Sequence, residues 1–465
     1  MIVFDPGSFK DPAGRVFYHD DRVFRTLGPK SKAEFEAFVA SGLYARLAEK
    51  GRIVRTELRA SEEMGLPVDE VGAFVLEHER IPFVTYPYEW SFDMLRDAAL
   101  LALDLLAESL EAGYSLKDAT PFNVQFVAGK PVWIDILSFE PYREGQPWVG
   151  YSQFCSTCLY PLLLASHLGL EFQSLLRGTL TGVSATDAAK LFRWTDVRRR
   201  GVLLHVFVAA RLQRSFGQSQ KEVSREVKRA GVSRASLLNL ARGLKRLVAG
   251  LAYREADSVW ADYVDRQSYD STDLQRKKDF VQGAVRQQRP QHLWDLGCNT
   301  GEYSDLAAET AELVVSFDID PAAINRLYLS QKAGKRSPKL QPIVGDLTNP
   351  SPNLGWALAE RRSWLERGKP DFFLGLALVH HLAIGGNIPL AEVVAFLRRV
   401  APAGVVEFVS KDDDLVRQML ANREDVFDDY GKASFEAMLA RDFAIERQFD
   451  LKGGTRTIYA LGPKA

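Results

Sequence analysis

The stretch Asp295-Leu-Gly-Cys-Asn-Thr-Gly301 constrains the fold of this chain more than any other feature. It follows the apolar run His292-Leu-Trp294 and precedes a helix-like segment, Glu302 to Ala311. An apolar strand, a glycine turn and a helix are the opening of a nucleotide-binding βαβ unit. Gly297 and Gly301 lack a Cβ, so the backbone can turn tightly and let a ligand lie against it, while the helix start offers free N–H groups. Such turns also occur in α/β proteins that bind nothing there, so the segments that follow decide the reading. Leu313-Val-Val-Ser-Phe-Asp318 reads as a second buried strand ending in a carboxylate, where a parallel βαβ fold puts an acid on ribose hydroxyls. A third strand, Leu340 to Val344, runs into Gly345-Asp346-Leu347, and a fourth, Asp371 to Leu378, runs into Val379-His-His-Leu382. Polar groups thus gather at one edge of a sheet. The Gly-x-Gly-x-x-Gly spacing of a dinucleotide site is absent.

From about residue 265 to 465 these motifs, in this order, resemble the class I S-adenosylmethionine-dependent methyltransferases, whose first motif commonly reads DLGCGTG where this chain reads DLGCNTG. The resemblance implies an α/β fold with a Rossmann-like seven-stranded methyltransferase sheet. It implies that Asp295, Gly297, Asn299 and Gly301 lie along the methionine end of S-adenosylmethionine, that Asp318 binds its ribose and that Asp346 contacts its adenine. Asn299 replaces the usual glycine, and asparagine tolerates positive φ better than most residues. The rest of this half fits: a helix over Pro389 to Val400, a fifth strand over Gly404 to Ser410, and a terminal pair, Ala444 to Asp450 and Thr455 to Leu461, divided by Gly453-Gly454. His380 and His381 follow the fourth strand, where members of the family place acceptor-facing groups. One reads as a base and the other as a loop hydrogen-bonding group. Glu407, inside the fifth strand, needs a partner if buried, and reads either as a pocket group or as half of a structural ion pair. Asp412 to Asp414 reads as a solvated loop, and Asp428-Asp429-Tyr430 as a cover over the acceptor.

The N-terminal half carries a second constellation: Lys117-Asp-Ala-Thr-Pro-Phe-Asn123, a short hairpin, and Val132-Trp-Ile-Asp135. A carboxylate that orients an acceptor hydroxyl, with an amide and a second carboxylate that hold magnesium, is what phosphoryl transfer requires. The spacing resembles the catalytic loop and magnesium motif of protein-kinase-like phosphotransferases, with Asp118 matching the base and Asn123 and Asp135 the metal ligands. ATP and magnesium would be its cofactors. Phe92 to Ala112 reads as a buried helix ahead of that loop. Arg15 to Arg25 reads as a hairpin with a two-residue acidic turn, and Ser31 to Lys50 as a helix. Arg25 stands where the phosphate-binding lysine belongs, with Glu34 or Glu36 as its helix partner. The departures are substantial: arginine is bulkier than lysine, only Gly14 represents the glycine-rich loop, and Leu116-Lys117-Asp118 replaces His-Arg-Asp. An active kinase, an inactive binding or scaffold domain, and an accessory α+β domain whose Asp118 and Asn123 cap a turn all remain open.

Between the halves, Arg193 to Arg246 holds fourteen Lys and Arg against three acids, Asp196, Glu222 and Glu226. A charge of this size can guide a polyanion such as RNA. The plainer reading is helices with solvated basic faces over a buried stripe of Leu203, Leu204, Val206, Phe207 and Leu212. No aromatic run accompanies the basic residues, against a single-strand stacking platform. With 46% hydrophobic and 26% charged residues, the 465-residue chain reads as a multidomain globular protein. The longest apolar stretch, Cys158 to Leu170, is too short to span a bilayer, and the N-terminus lacks a signal-like core, so a cytoplasmic location is expected. Cys155 and Cys158 lack a second pair and read as buried structural thiols rather than a zinc site. The expected organisation is a kinase-like or accessory α+β domain over 1–190, a basic helical connector over 191–264, with the end of the kinase-like domain as the alternative reading of that segment, and the methyltransferase domain over 265–465. The expected function is methyl transfer to a small-molecule or saccharide acceptor. The alternatives are an RNA methyltransferase guided by the basic connector and a pseudokinase scaffold whose methyltransferase fold senses the cofactor.

Overall fold

The computed structural model describes residues 1–216, 231–255, 271–421, 424–451 and 453–464. The chain divides into two compact units, Met1–Ala256 with Asn353–Arg361, and Asp257–Pro352 with Arg362–Ala465.

The first unit opens with a five-stranded antiparallel sheet in the order β1-β2-β3-β5-β4, formed by β1 (Val3–Phe4), β2 (Val16–His19), β3 (Arg22–Thr26), β4 (Thr56–Ala60) and β5 (Phe74–His78). The β2–β3 hairpin turns on Asp20 and Asp21 at φ 45° and 60°, the paired positive values that a two-residue turn needs and that aspartate tolerates. The single helix expected after it is two, Pro29–Ala40 and Leu43–Glu49, because Gly42 takes φ 74° between them. Helix Phe92–Glu111 is buried on most of its surface, as its Leu and Ala content requires. It leads into β6 (Tyr114–Leu116) and the hairpin of β7 (Val124–Val127) and β8 (Lys130–Trp133), and β6 pairs with β9 (Phe139–Pro141). Helix Arg234–Ala249, in the basic segment, packs along Phe92–Glu111, where Lys245 pairs with Asp104 and Arg242 with Glu111. The excursion Asn353–Arg361 closes through a bridge between Leu354 and Arg361, and its Glu360 pairs with Lys10.

The basic segment departs from its expected stripe. Val206 is buried, but Leu203, Leu204 and Leu212 are exposed. Leu203–Val208 winds as a π-helix, but even at about 100° per residue Leu204 stands about 160° and Leu212 about 120° around a helix from Val206, so these residues do not share one face. Residues 217–230 of this segment lie outside the described residues, as do 256–270 ahead of the second unit.

The second unit is a seven-stranded mixed sheet in the order β12-β11-β10-β13-β14-β16-β15. Its strands are β10 (His292–Leu296), β11 (Leu313–Asp318), β12 (Leu340–Val344), β13 (Phe372–Gly375), β14 (Ala403–Val409), β15 (Phe443–Asp450) and β16 (Arg456–Pro463). The first five run parallel and the last two form an antiparallel hairpin on β14, the sheet that the resemblance implies. β14 is buried along its whole length, as a central strand covered on both faces must be. The order reverses between β10 and β13, and ligands of open parallel sheets bind beyond the strand ends at such a switch point.

Candidate active site

The glycine turn sits at that switch point. Gly297 and Gly301 take φ 81° and 79°, and Asn299 takes 51°, so all three occupy the left-handed region. A Cβ on Gly301 would lie 2.6 Å from Leu327 Cδ1, so a larger residue would have to displace that buried side chain as well as adopt the left-handed φ. The N–H groups of Gly297 and Cys298 both donate to the Phe317 carbonyl, at 2.9 and 2.8 Å, and tie the turn to the end of β11. The Asn299 N–H donates to Asp318 Oδ2 at 2.7 Å, and the Asp320 N–H to Asp318 Oδ1 at 2.9 Å. Glycine turn and acidic strand end are therefore one hydrogen-bonded structure. Each oxygen of Asp318 keeps lone-pair capacity for a hydroxyl donor. Burial pushes the Asp318 carboxyl up to about 6 despite the backbone N–H groups that favour its charge.

Asp295 lies beneath the turn, fully buried, with Oδ2 accepting from Ser304 Oγ at 2.6 Å, and Ser316 Oγ donating to Ser304 Oγ at 2.9 Å. Burial, helped by the Asp318 charge, pushes its carboxyl up to about 7. Asp346, beyond β12, is half-buried, and its Oδ1 accepts from the N–H and hydroxyl of Thr348 at 2.8 and 2.6 Å. Two buried polar atoms of this region, Asn299 Oδ1 and the Tyr303 hydroxyl, have no hydrogen-bond partner.

At the ends of β13 and β14 the sequence reading found Glu407 but not its surroundings. Glu407 is fully buried, and its Oε2 accepts from Lys277 Nζ at 2.7 Å and from the Ala377 N–H at 2.9 Å. Ala377 takes φ 49°, an uncommon conformation for alanine that aims its N–H at the carboxylate. Arg456 lies 3.7 Å from Glu407 Oε1 and holds Asp413 through two bonds of 2.7 and 3.2 Å. Asp413 is therefore buried, and the expectation of a solvated loop over Asp412 to Asp414 is corrected there: the arginine of β16 draws that carboxylate inward. Tyr430 is also buried, donating to the Val409 carbonyl at 2.7 Å, so it braces β14 rather than covering an acceptor.

His380 is wholly buried, and neither ring nitrogen has a hydrogen-bond partner. Its ring lies 4.1 Å from that of His381. Burial, with the positive charges of Arg456 and Lys277 nearby, holds His380 well below the ordinary histidine range, and burial with Arg456 holds His381 at about 4. Both rings are neutral near pH 7. A neutral imidazole with an unpartnered nitrogen has the capacity to accept a proton. Lys277 and Arg456 were missed because they lie 130 residues before and 49 residues after Glu407, and only the packing of helix Ser271–Gln288 and the pairing of β16 on β14 bring them to it. The one available signal was the rule that a buried carboxylate needs a cation.

In the first unit, the expected second constellation is brought together. Asp135 Oδ1 pairs with Arg25 Nη1 at 2.7 Å, and Asn123 Nδ2 lies 3.5 Å from Asp135 Oδ2. Burial, with the charge of Asp135, raises the Asp118 carboxyl. The expected partner of Arg25 on the following helix is corrected. Glu34 and Glu36 are exposed and lie beside Lys30 and Lys32 one turn away, while Arg25 is held by Asp11 and Asp135. Phe122, next to Asn123, receives the Arg361 guanidinium 4.5 Å from its ring centre. Cys155 and Cys158 are buried free thiols, and burial pushes Cys155 up to about 12. Among the described residues no three His, Cys, Asp or Glu are placed to hold a metal ion, and no helix is long and apolar enough to cross a membrane.

No family model matches the chain. The nodulation protein NoeA of Rhizobium meliloti (strain 1021) is 38% identical over 461 residues, covering 98% of this chain and 95% of that protein. The chain belongs to the NoeA family. The match spans both units, so the pairing of the two halves is shared by this NoeA-family chain and its relative. Among solved structures, the N-methyltransferase NodS from Bradyrhizobium japonicum WM9 is 13% identical and covers 42% of this chain and 99% of its own, with a TM-score of 0.31. Magnesium protoporphyrin IX methyltransferase (ChlM) from Synechocystis PCC 6803 is 18% identical, covering 45% and 87%, with a TM-score of 0.30.

Proposed function

We propose that the second unit transfers a methyl group from S-adenosylmethionine to a hydroxyl or other nucleophile on a small molecule or saccharide. The observation that carries this reading is the bond from the Asn299 N–H to Asp318 Oδ2, which locks the glycine turn to the acidic strand end. The residues fit the cofactor. Asp318 offers acceptor capacity to a ribose diol, the left-handed turn over Gly297 to Gly301 gives a backbone surface free of side chains, and Asn299 Oδ1 and the Tyr303 hydroxyl are buried without partners. Asp346 would contact the adenine and Asp295 would lie along the methionine end. When bound, the cofactor supplies an electrophilic methyl group.

The chain's own contribution is positioning and proton acceptance. His380 takes the proton of the acceptor nucleophile on an unpartnered ring nitrogen; it is neutral near pH 7, and because burial and the nearby cations disfavour its charged form in the free protein, the bound acceptor must offset that cost. The His381 ring lies tilted against that of His380, 4.1 Å away. Glu407 is a positioning residue: clamped by Lys277 and Arg456, it fixes the backbone at Ala377, three residues before His380. The test is incubation of the full chain with methyl-labelled S-adenosylmethionine and host-cell extract, separated into small-molecule, protein and RNA fractions. Label in the small-molecule fraction, lost in His380→Gln, supports the reading. Label in RNA alone overturns the acceptor class, and the absence of cofactor binding overturns the whole.

The first unit supports a second reading, a kinase-like domain that binds ATP with magnesium. The adjacency of Asn123 to Asp135, with Asp118 close enough to feel the Asp135 charge, favours it. One carboxylate and one amide suffice where phosphates and waters complete the magnesium shell. Arg25 would meet the phosphates. Titration of the full chain with ATP and magnesium, against Asp135→Asn, tests this reading separately from methyl transfer.

A further inference from the structure

Between Arg193 and Phe216 the chain carries six arginines and one acid, Asp196. That acid is buried and already accepts from Arg199 Nε at 2.8 Å, so it does not offset the surface charge. The same stretch exposes large apolar side chains: Trp194 is 76% exposed, Leu203 52%, Leu204 61%, Val208 40% and Leu212 48%. Leu204, Val208 and Leu212 follow at intervals of four along Leu203–Val208 and Ala209–Phe216, the spacing of one helical face, while Val206 is buried. The Trp194 ring meets Phe207 at 5.9 Å, which fixes the Trp194–Arg198 turn beside that helix. Arg193, Arg198, Arg200 and Arg211 are exposed on the same piece of chain.

Exposed leucines in a row are costly in water, and a row flanked by arginines has a specific complement. Apolar side chains enter the boundary between headgroups and acyl chains, tryptophan favours that depth, and arginines reach lipid phosphates while their stems cover apolar surface. RNA would satisfy the arginines but leave the leucines wet, and one exposed tryptophan makes no stacking platform. We propose that this face docks peripherally on an anionic lipid bilayer, with Trp194, Leu203, Leu204, Val208 and Leu212 at the acyl boundary and the arginines on the phosphates.

The test is co-sedimentation of the full chain with vesicles of equal phosphatidylcholine and phosphatidylglycerol, and with phosphatidylcholine alone, at about 0.1 M salt. The chain is expected to bind the anionic vesicles and not the neutral ones. Leu204→Ser with Leu212→Ser, and separately Arg198→Gln with Arg200→Gln, should each lower the partition about tenfold. All four positions are exposed, so the unfolding midpoint should hold, and Trp194→Ser gives an independent apolar variant if the leucine pair fails to fold. Three results overturn the proposal. The first is no binding to anionic vesicles. The second is full vesicle binding by the leucine variant, with the arginine variant losing vesicles and RNA alike. The third is a dimer that the leucine variant converts to monomer while vesicle binding is unchanged, which would make the face an interface between copies.

Discussion

Replacing Asp318 by asparagine separates the structural from the cofactor-binding work of one carboxylate. In the free protein each oxygen accepts a backbone N–H, from Asn299 at 2.7 Å and from Asp320 at 2.9 Å. Asparagine offers one oxygen, so its amide nitrogen must face one of these donors and leave it unpaired, a loss of about 1–3 kcal/mol in folding stability. That loss is common to free and bound protein. The cofactor loses the charge on its hydrogen bonds to the ribose, about 1.5–3 kcal/mol, or roughly 10- to 150-fold in Kd. A pH signature accompanies it. Burial raises the carboxyl to about 6, so it is protonated below that pH, and a protonated acid has lost the charge that draws hydroxyl donors. Wild-type affinity should therefore fall as pH drops through 6, and Asp318→Asn should be flatter over the same range. Calorimetric titration of S-adenosylhomocysteine between pH 5 and 8, with unfolding curves as the folding control, reads both effects. An unchanged Kd at pH 7.5 together with an unchanged pH slope would refute the ribose role.

Asp295→Asn should flatten the pH dependence of stability. The folded carboxyl sits at about 7, above the ~3.9 of an exposed aspartate, so the folded state binds the proton more tightly. The resulting stability is fully present below ~3.9 and is lost as pH rises through about 7, by up to roughly 4 kcal/mol, and chemical denaturation at pH 5 and 8 measures it. His380→Gln should lower kcat by about 10²–10⁴ with cofactor Kd unchanged, because its role falls on the acceptor proton. The wild-type rate should show no histidine ionisation between pH 6 and 8, since His380 and His381 both titrate well below that range. Lys277→Met should cost about 3–5 kcal/mol by leaving Glu407 buried with less compensation, and adding Glu407→Gln should restore part of it in a double-mutant cycle.

The sequence was most legible where chemistry is local. The strand, glycine turn and carboxylate at Asp295, Gly297, Gly301 and Asp318 lie within 24 residues, and the positive φ that the turn demands is written in the glycines and Asn299. The alternation of apolar runs and helices likewise gave the parallel strands. Features made by distant pairing were not legible. Lys277, Glu407, Arg456 and Asp413 meet only when helix Ser271–Gln288, β14 and β16 pack, so the acidic run at Asp412 read as solvent-exposed and nothing local marked Arg456 as its partner. The break at Gly42 and the π-turn at Leu203–Val208 shifted helical phase. Leu204 and Leu212 were grouped with Val206 by apolar character alone, although a period of 3.6 already turns them about 160° and 120° away from it, and they are found outside.

A crystal structure of the full chain with S-adenosylhomocysteine tests the central claim most directly. The account predicts the ribose hydroxyls within hydrogen-bond distance of the Asp318 carboxylate, the amino-acid end along Gly297 to Gly301, and the sulfur facing His380. Ligand bound elsewhere, or crystals that bind none at saturating concentration, would contradict it.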